Sequence, residues 1–155
     1  MKILMVCLGN ICRSPLAEGI LQQKADAEGL EWKIESAGTN GIHVGEAPHL
    51  LSQKIAKQNG INICNQRARK FDAKDFENFD KIYVMADDVM RDVRRIAGEK
   101  FDTNKIDHFM NELHEGKNEN VPDPWFGEED DYIKVYDLID KTCDAIIAKE
   151  TVRKN

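Results

Sequence analysis

The chain opens on an apolar run, Lys2–Cys7 (KILMVC), in which adjacent positions are both apolar. A strand of that kind is buried on both faces, as in a parallel sheet. Leu16, Ala17, Ile20, Leu21 and Ala25 then recur at helical spacing, predicting a helix over Ser14–Glu28 with Gly29 placed to close it. Alternation predicts a second strand over Trp32–Ala37. Ala47–Asn59 reads as helix, with Leu50, Leu51 and Ile55 on one face and Gly60 at its end. Lys81–Ala86 (KIYVMA) is a third strand. Asp87 or Asp88 is placed to cap the next helix, which carries Val89, Val93, Ile96 and Ala97 before Gly98. Lys105–Met110 is a weaker strand, and polar Gly116–Asn120 an exposed loop. A long helix closes the pattern over Glu129–Lys149, its stripe formed by Val135, Leu138, Ile139, Thr142 and Ile146. Its acidic start, Glu129, Asp130 and Asp131, suits the helix dipole. Strands alternating with helices predict an α/β fold with a parallel sheet and right-handed crossovers.

Composition changes this picture little. The 155 residues suit one domain, 1–155, and 41% hydrophobic with 32% charged content is ordinary for a globular chain. A net charge of −6 disfavours nucleic acid and membrane surfaces as general partners. No apolar run reaches the ~20 residues that span a bilayer. The N-terminal run is too short for a secretory core, so a cytoplasmic location is expected. The cysteines, Cys7, Cys12, Cys64 and Cys143, form no Cys-x-x-Cys pair and have no histidine cluster beside them. A zinc site is therefore not expected, and Cys64 and Cys143 read as core residues. His43 and His49 read as surface residues, and the basic runs Arg67–Lys70 and Arg91–Arg95 as solvated faces.

Val6–Glu18 (VCLGNICRSPLAE) carries the chemistry. Ligands of an open parallel sheet bind beyond the carboxyl ends of its strands, which is where Cys7 falls. The loop Leu8–Cys12 leads straight into a helix, for which Ser14 fits the cap and Pro15 the first helical position. Gly9 and Asn10 tolerate a positive φ, so successive N–H groups can turn inward as an anion nest. The helix N-terminus and the planar fork of Arg13 add positive charge that suits a tetrahedral anion. A thiol held in such a nest is favoured as the thiolate, with Ser14 a candidate donor to the sulfur, and is placed to attack phosphorus. Leu8, Gly9, Asn10, Ile11, Cys12, Arg13 and Ser14 are thus the expected phosphate cradle. A phosphocysteine route needs an acid for the leaving oxygen and a base for water. Asp123, stiffened by Pro122 and Pro124 in VPDPWFG, is the candidate for both. Trp125 and Phe126 beside it are placed to meet an aryl leaving group.

CLGNICRS together with PDPWFG resembles the low-molecular-weight protein tyrosine phosphatases. The likeness extends through ESAGT (Glu35–Thr39), GINI (Gly60–Ile63), RAR (Arg67–Arg69) and Asp75–Phe79. It implies a three-layer α/β fold, a four-stranded parallel sheet flanked by helices on both faces, of the flavodoxin-like or phosphotyrosine phosphatase I-like kind. It implies a reaction with no metal and no cofactor, in which Cys7 is the nucleophile, Arg13 binds phosphate and Asp123 is acid, then base. The substrate implied is a phosphotyrosine-containing protein or peptide, with phosphate-like anions as inhibitors. By the same likeness Asn10 fixes the loop, and Cys12 is a redox partner able to form a reversible disulfide with oxidised Cys7. Where the family often has a histidine and an aspartate behind the loop, this chain has Gln66 and Ala86, with Asp87 a candidate replacement. Ile42 and His43 (in GIHVGE) stand in the variable rim of the cleft, beside Trp125 and Phe126.

Three other readings compete. A thioredoxin-coupled arsenate reductase needs two more cysteines near the third strand, and Asp80–Gly98 has none. A protein arginine phosphatase resembles a threonine-containing version of the loop, where this chain has Ile11. A non-catalytic phosphate-binding adaptor would need neither Cys7 nor Asp123.

Overall fold

The computed structural model describes residues 1–154, with side chains through Val152; Asn155, the last residue of the expected domain, lies outside the described residues. Strand β1 (Lys2–Cys7) is followed by helix α1 (Arg13–Ala27), β2 (Lys33–Gly38), α2 (Leu50–Gln58), the single turn α3 (Asp75–Asn78), β3 (Lys81–Val84), α4 (Asp87–Ala97), β4 (Ile106–His108) and α5 (Glu129–Lys154). The described strands form one parallel sheet in the order β2-β1-β3-β4. The opening apolar run is thus central, paired through Val6 with Ala37 on one side and Val84 on the other.

Period-two alternation sends β1 side chains to two cores. Ile3, Met5 and Cys7 join Leu16, Ile20 and Leu21 of α1, Ile55 of α2 and Val135, Ile139 and Cys143 of α5. Leu4 and Val6 join Phe76 of α3 and Val89 and Val93 of α4 on the other face. Each large aliphatic group buried in this way contributes about 1.5–3 kcal/mol. Helices on both faces of a parallel sheet make the fold a three-layer α/β architecture, and no helix among the described residues is long and apolar enough to cross a membrane.

Several elements differ from expectation for local reasons. Helix α1 starts at Arg13, with Cys12 at the cap position and no side-chain cap bond. Ser14 lies inside the first turn, its hydroxyl engaged elsewhere, and Pro15 follows it where a missing N–H leaves no helical bond unmade. Asp87 and Asp88 likewise sit inside the first turn of α4, after Ala86, favouring the dipole without capping. Helix α2 begins at Leu50 rather than Ala47, because His49 takes the cap, its ring accepting the Leu51 N–H. Strand β4 is only Ile106–His108 and passes into a 3₁₀ turn over Phe109–Glu112. Cys143 is buried, but Cys64 is exposed. It lies in the irregular segment after α2, where its N–H is donated to the Asn62 side chain at 3.0 Å.

Gly38 ends β2 against the turn that follows β1. A Cβ there would stand 2.9 Å from the Leu8 carbonyl oxygen and 3.0 Å from the Asn10 nitrogen, both backbone atoms. Gly38→Ala should destabilise the fold by about 1–3 kcal/mol, as overpacking against groups that cannot rotate away does. Thermal melting checks this, and an unchanged midpoint would show that the loop yields freely.

Candidate active site

Beyond the end of β1 the chain turns through Asn10, held at φ 58°. Asparagine tolerates this left-handed conformation because its short polar side chain can bond locally. The Asn10 N–H then donates to Cys7 Sγ at 3.2 Å, and Ser14 Oγ lies 3.0 Å from the same sulfur. Asn10 Nδ2 donates to Ser14 Oγ at 2.8 Å and to Ser36 Oγ at 2.9 Å, and Ser36 Oγ donates to Glu18 Oε1 at 2.8 Å. With one lone pair accepting from Asn10, the Ser14 hydroxyl keeps its own proton free to be given to Cys7. Two polar groups thus face the sulfur, and one of them, the Asn10 N–H, donates to it.

Asn10 Oδ1 also accepts the Arg69 N–H at 3.0 Å, and the Arg69 guanidinium pairs with both oxygens of buried Asp75 at 3.1 Å. Arg69 is thus structural rather than part of a solvated run. Behind the loop, burial raises the Glu18 carboxyl to about 7, against the opposing hydrogen bond from Ser36. At Gln66 the side chain donates to the Pro15 carbonyl at 3.1 Å. Asp87 does not replace the missing pair: its carboxylate meets His108 Nε2 at 2.6 Å. The polar partners of the Asn10 side chain are instead Ser14, Ser36 and Arg69.

Arg13 is 4% exposed, and its guanidinium donates to the Val121 carbonyl at 3.0 Å and lies 3.6 Å from Asp123, which is 43% exposed. Pinning the cation to Val121 joins the loop to the segment that carries Asp123, 110 residues further on in the sequence numbering (123 − 13). Asp123 Oδ1 accepts the Trp125 N–H at 3.1 Å, which curls this segment. A cleft of about 400 Å³ brings together Cys7, Leu8, Gly9, Ile11, Cys12, Arg13, Ile42, His43, Asp123, Trp125 and Phe126. Buried Asn10 and Ser14 stand behind it. Asn40, absent from the sequence reading, also lines it. Its signal was its place just beyond the carboxyl end of β2.

The histidines are not mere surface residues. His43 bonds Glu46 at 2.8 Å and packs its ring 5.3 Å from that of Trp125. A Cβ on Gly9 would stand 3.1 Å from the same imidazole, so glycine lets the ring lie on the loop. His49 contacts both Trp125 and Tyr132. Cys12 is buried with its sulfur 3.7 Å from the Tyr132 hydroxyl, and burial pushes its thiol up to about 12. Phe126 is 96% exposed at the rim.

Similarity to known proteins covers nearly the whole chain. Residues 2–155 match the family model described as low molecular weight phosphotyrosine protein phosphatase. The Bacillus subtilis low molecular weight protein-tyrosine-phosphatase YfkJ is 36% identical over 149 residues, covering 95% of this chain and 94% of that one. A crystal structure of a protein tyrosine phosphatase from Entamoeba histolytica superposes with a TM-score of 0.89 at 32% identity, covering 100% of this chain and 99% of that one. The Drosophila arginine phosphatase superposes with a TM-score of 0.88 at 29% identity, covering 97% and 98%.

The raised Glu18 carboxyl gives a stability prediction. A carboxyl whose folded pKa lies above its unfolded value stabilises the fold in full below the unfolded pKa and loses that contribution as pH climbs through the folded one. Between pH 4.5 and about 7, the wild type should lose on the order of 3 kcal/mol through this group. Glu18→Gln keeps an acceptor for Ser36 and should flatten that part of the melting-temperature profile, most visibly by melting higher at pH 8. Parallel profiles for the two proteins would rule the assignment out.

Proposed function

We propose a mechanism from one premise: the chain belongs to the low molecular weight phosphotyrosine protein phosphatase family. It is a protein tyrosine phosphatase, a hydrolase of phosphoric monoesters. Cys7 attacks the phosphorus of a phosphotyrosine side chain; an S–P bond forms as the P–O bond to the tyrosyl oxygen breaks. Asp123 gives its proton to that departing oxygen. Arg13 and the N–H groups of Leu8–Ser14 other than that of Asn10, which is given to Cys7, hold the phosphoryl oxygens, where charge develops. The Asp123 carboxylate then takes a proton from water as it attacks phosphorus, the S–P bond breaks, and phosphate and the Cys7 thiolate are regenerated.

The observation that carries this reading is the pair of polar groups on one sulfur, the Asn10 N–H donating to Cys7 and the Ser14 hydroxyl 3.0 Å from it. A core cysteine needs no such partners. The cleft supports an aryl substrate, since Trp125, His43 and Ile42 offer ring and aliphatic surface above the sulfur-bearing floor. Phosphate-like anions, competing for Arg13 and the loop, are the inhibitors expected. Cys12, a free thiol on the same loop, is the partner for a disulfide with oxidised Cys7. The reading also keeps a cytoplasmic enzyme.

One observation favours a second substrate class, the structural likeness to the Drosophila arginine phosphatase. Against it stands Ile11, which lines the cleft with a branched apolar side chain and offers no hydroxyl to a guanidinium.

Phosphate release from a phosphotyrosine peptide, with chelator present, tests the reading. Wild type should turn over and Cys7→Ser should not, although it should still bind. Asp123→Asn should lower kcat/KM by about 10²-fold or more, as loss of a positioned acid does. Release that survives Cys7→Ser would refute the covalent route. Faster turnover of phosphoarginine than of phosphotyrosine would move the substrate class to arginine.

A further inference from the structure

His49 joins three parts of the molecule that otherwise share little. Its Nδ1 accepts the Leu51 N–H at 3.1 Å, closing the first turn of α2. Its ring stacks on Tyr132 of α5, with centroids 5.1 Å apart and planes 24° apart. Its edge meets Trp125 at 5.6 Å and 77°. The cap bond fixes the tautomer, because a nitrogen that accepts an N–H cannot also carry a proton there. Burial acts in the same sense, lowering the pKa of the imidazole. The ring is therefore set in one plane by a hydrogen bond on one side and a stacked phenol on another.

Trp125 in turn controls the acid segment. Its backbone N–H is donated to Asp123 Oδ1, and its ring is held by His43 and His49. His43, 21% exposed, is tied to Glu46 within its own loop, whereas His49 is anchored to two helices. Phe126, the neighbouring ring, is almost wholly exposed and anchors nothing. The rigid support of the acid segment on this side is thus His49.

We infer that His49 is a positioning residue for the general acid, a capped and stacked imidazole against which Trp125 rests so that Asp123 is held at the mouth of the cleft. The inference rests on the reading of Asp123 as the acid. It predicts a defect confined to proton delivery, not a general loss of activity.

The test is kcat/KM, which reports formation of the phosphocysteine, for phenyl phosphate and 4-nitrophenyl phosphate. The first has a leaving oxygen that needs the proton; the second departs with far less help. His49→Asn keeps a cap acceptor and removes the ring. It should lower the phenyl phosphate value about tenfold and the 4-nitrophenyl value less than about twofold, a fraction of what full loss of an acid costs. Trp125→Ala should lower the phenyl phosphate value more than the 4-nitrophenyl value, beyond the loss both aryl esters share because its ring also lines the cleft, and the double variant should be no more selective than the more selective single one, since both act through one contact. Equal losses on both esters in His49→Asn, or a selectivity that adds in the double variant, would overturn the inference. Should His49→Asn fail to fold, His49→Phe keeps a ring and drops the cap: near wild-type values, or a loss confined to phenyl phosphate, support the inference, and equal losses on both esters overturn it. Asp123→Asn separates the two levels. If it shows strong leaving-group selectivity and His49→Asn shows none, His49 is not a positioning residue although the acid stands. If Asp123→Asn shows no selectivity, the acid reading fails and the role of His49 falls with it.

Discussion

The side chain of Asn10 is where the structure is decided. Its amide gives both protons to hydroxyls, Ser14 and Ser36, and its oxygen takes the Arg69 N–H, so one buried residue ties together the loop, β2 and the segment before α3. The positive φ at the same residue turns its own N–H onto Cys7. Backbone and side chain thus do separate tasks from one position. A buried amide with every hydrogen-bonding atom engaged specifies a single arrangement, because any other leaves a polar group orphaned at a cost of about 1–3 kcal/mol. The same amide holds the Ser14 hydroxyl beside the sulfur.

The other half of the site is held less firmly. Arg13 is buried and located by the Val121 carbonyl, whereas Asp123 is half-exposed at a distance too long for a hydrogen bond. An exposed carboxylate and a buried guanidinium at that separation attract only weakly. The cation is therefore fixed in place without being neutralised, which leaves it available to an anion. The acid segment takes its position from aromatic contacts with His43 and His49 rather than from this charge pair.

Much of this was legible in the sequence because it is contiguous there. The strand that ends on Cys7, the Gly-Asn turn and the arginine of the next helix lie within thirteen residues, and local conformational preference is enough to read them. Gly29 closing α1 at φ 68° is legible for the same reason. What could not be read depends on distant partners. Ser14 looks like a helix cap until Asn10 and Cys7 claim its hydroxyl. Arg69 looks like a solvated cation until Asp75 and Asn10 are folded against it. His49 replaces a conventional cap and meets Tyr132, which is 83 positions away (132 − 49). Cys64 looks like core on residue type alone, but the segment after α2 buries Ile61 and Ile63 and leaves Cys64 exposed.

The central place of β1 has a consequence for how the protein is made. Cys7 precedes in the chain every partner named for it, yet its strand needs Lys33–Gly38 on one side and Lys81–Val84 on the other. The cysteine then waits for Val121 and Asp123, and for α5 to cover the face of the sheet to which Cys7 belongs. At ribosomal rates of about 5–20 residues per second, a reactive sulfur would spend several seconds without the groups that define its chemistry. Because Arg13 lies on α1 and Asp123 follows 110 residues later (123 − 13), no complete site exists until residues 121–123 are made and folded back on the loop. A product cut short before Val121 carries the thiol but neither the anchor of its arginine nor the acid.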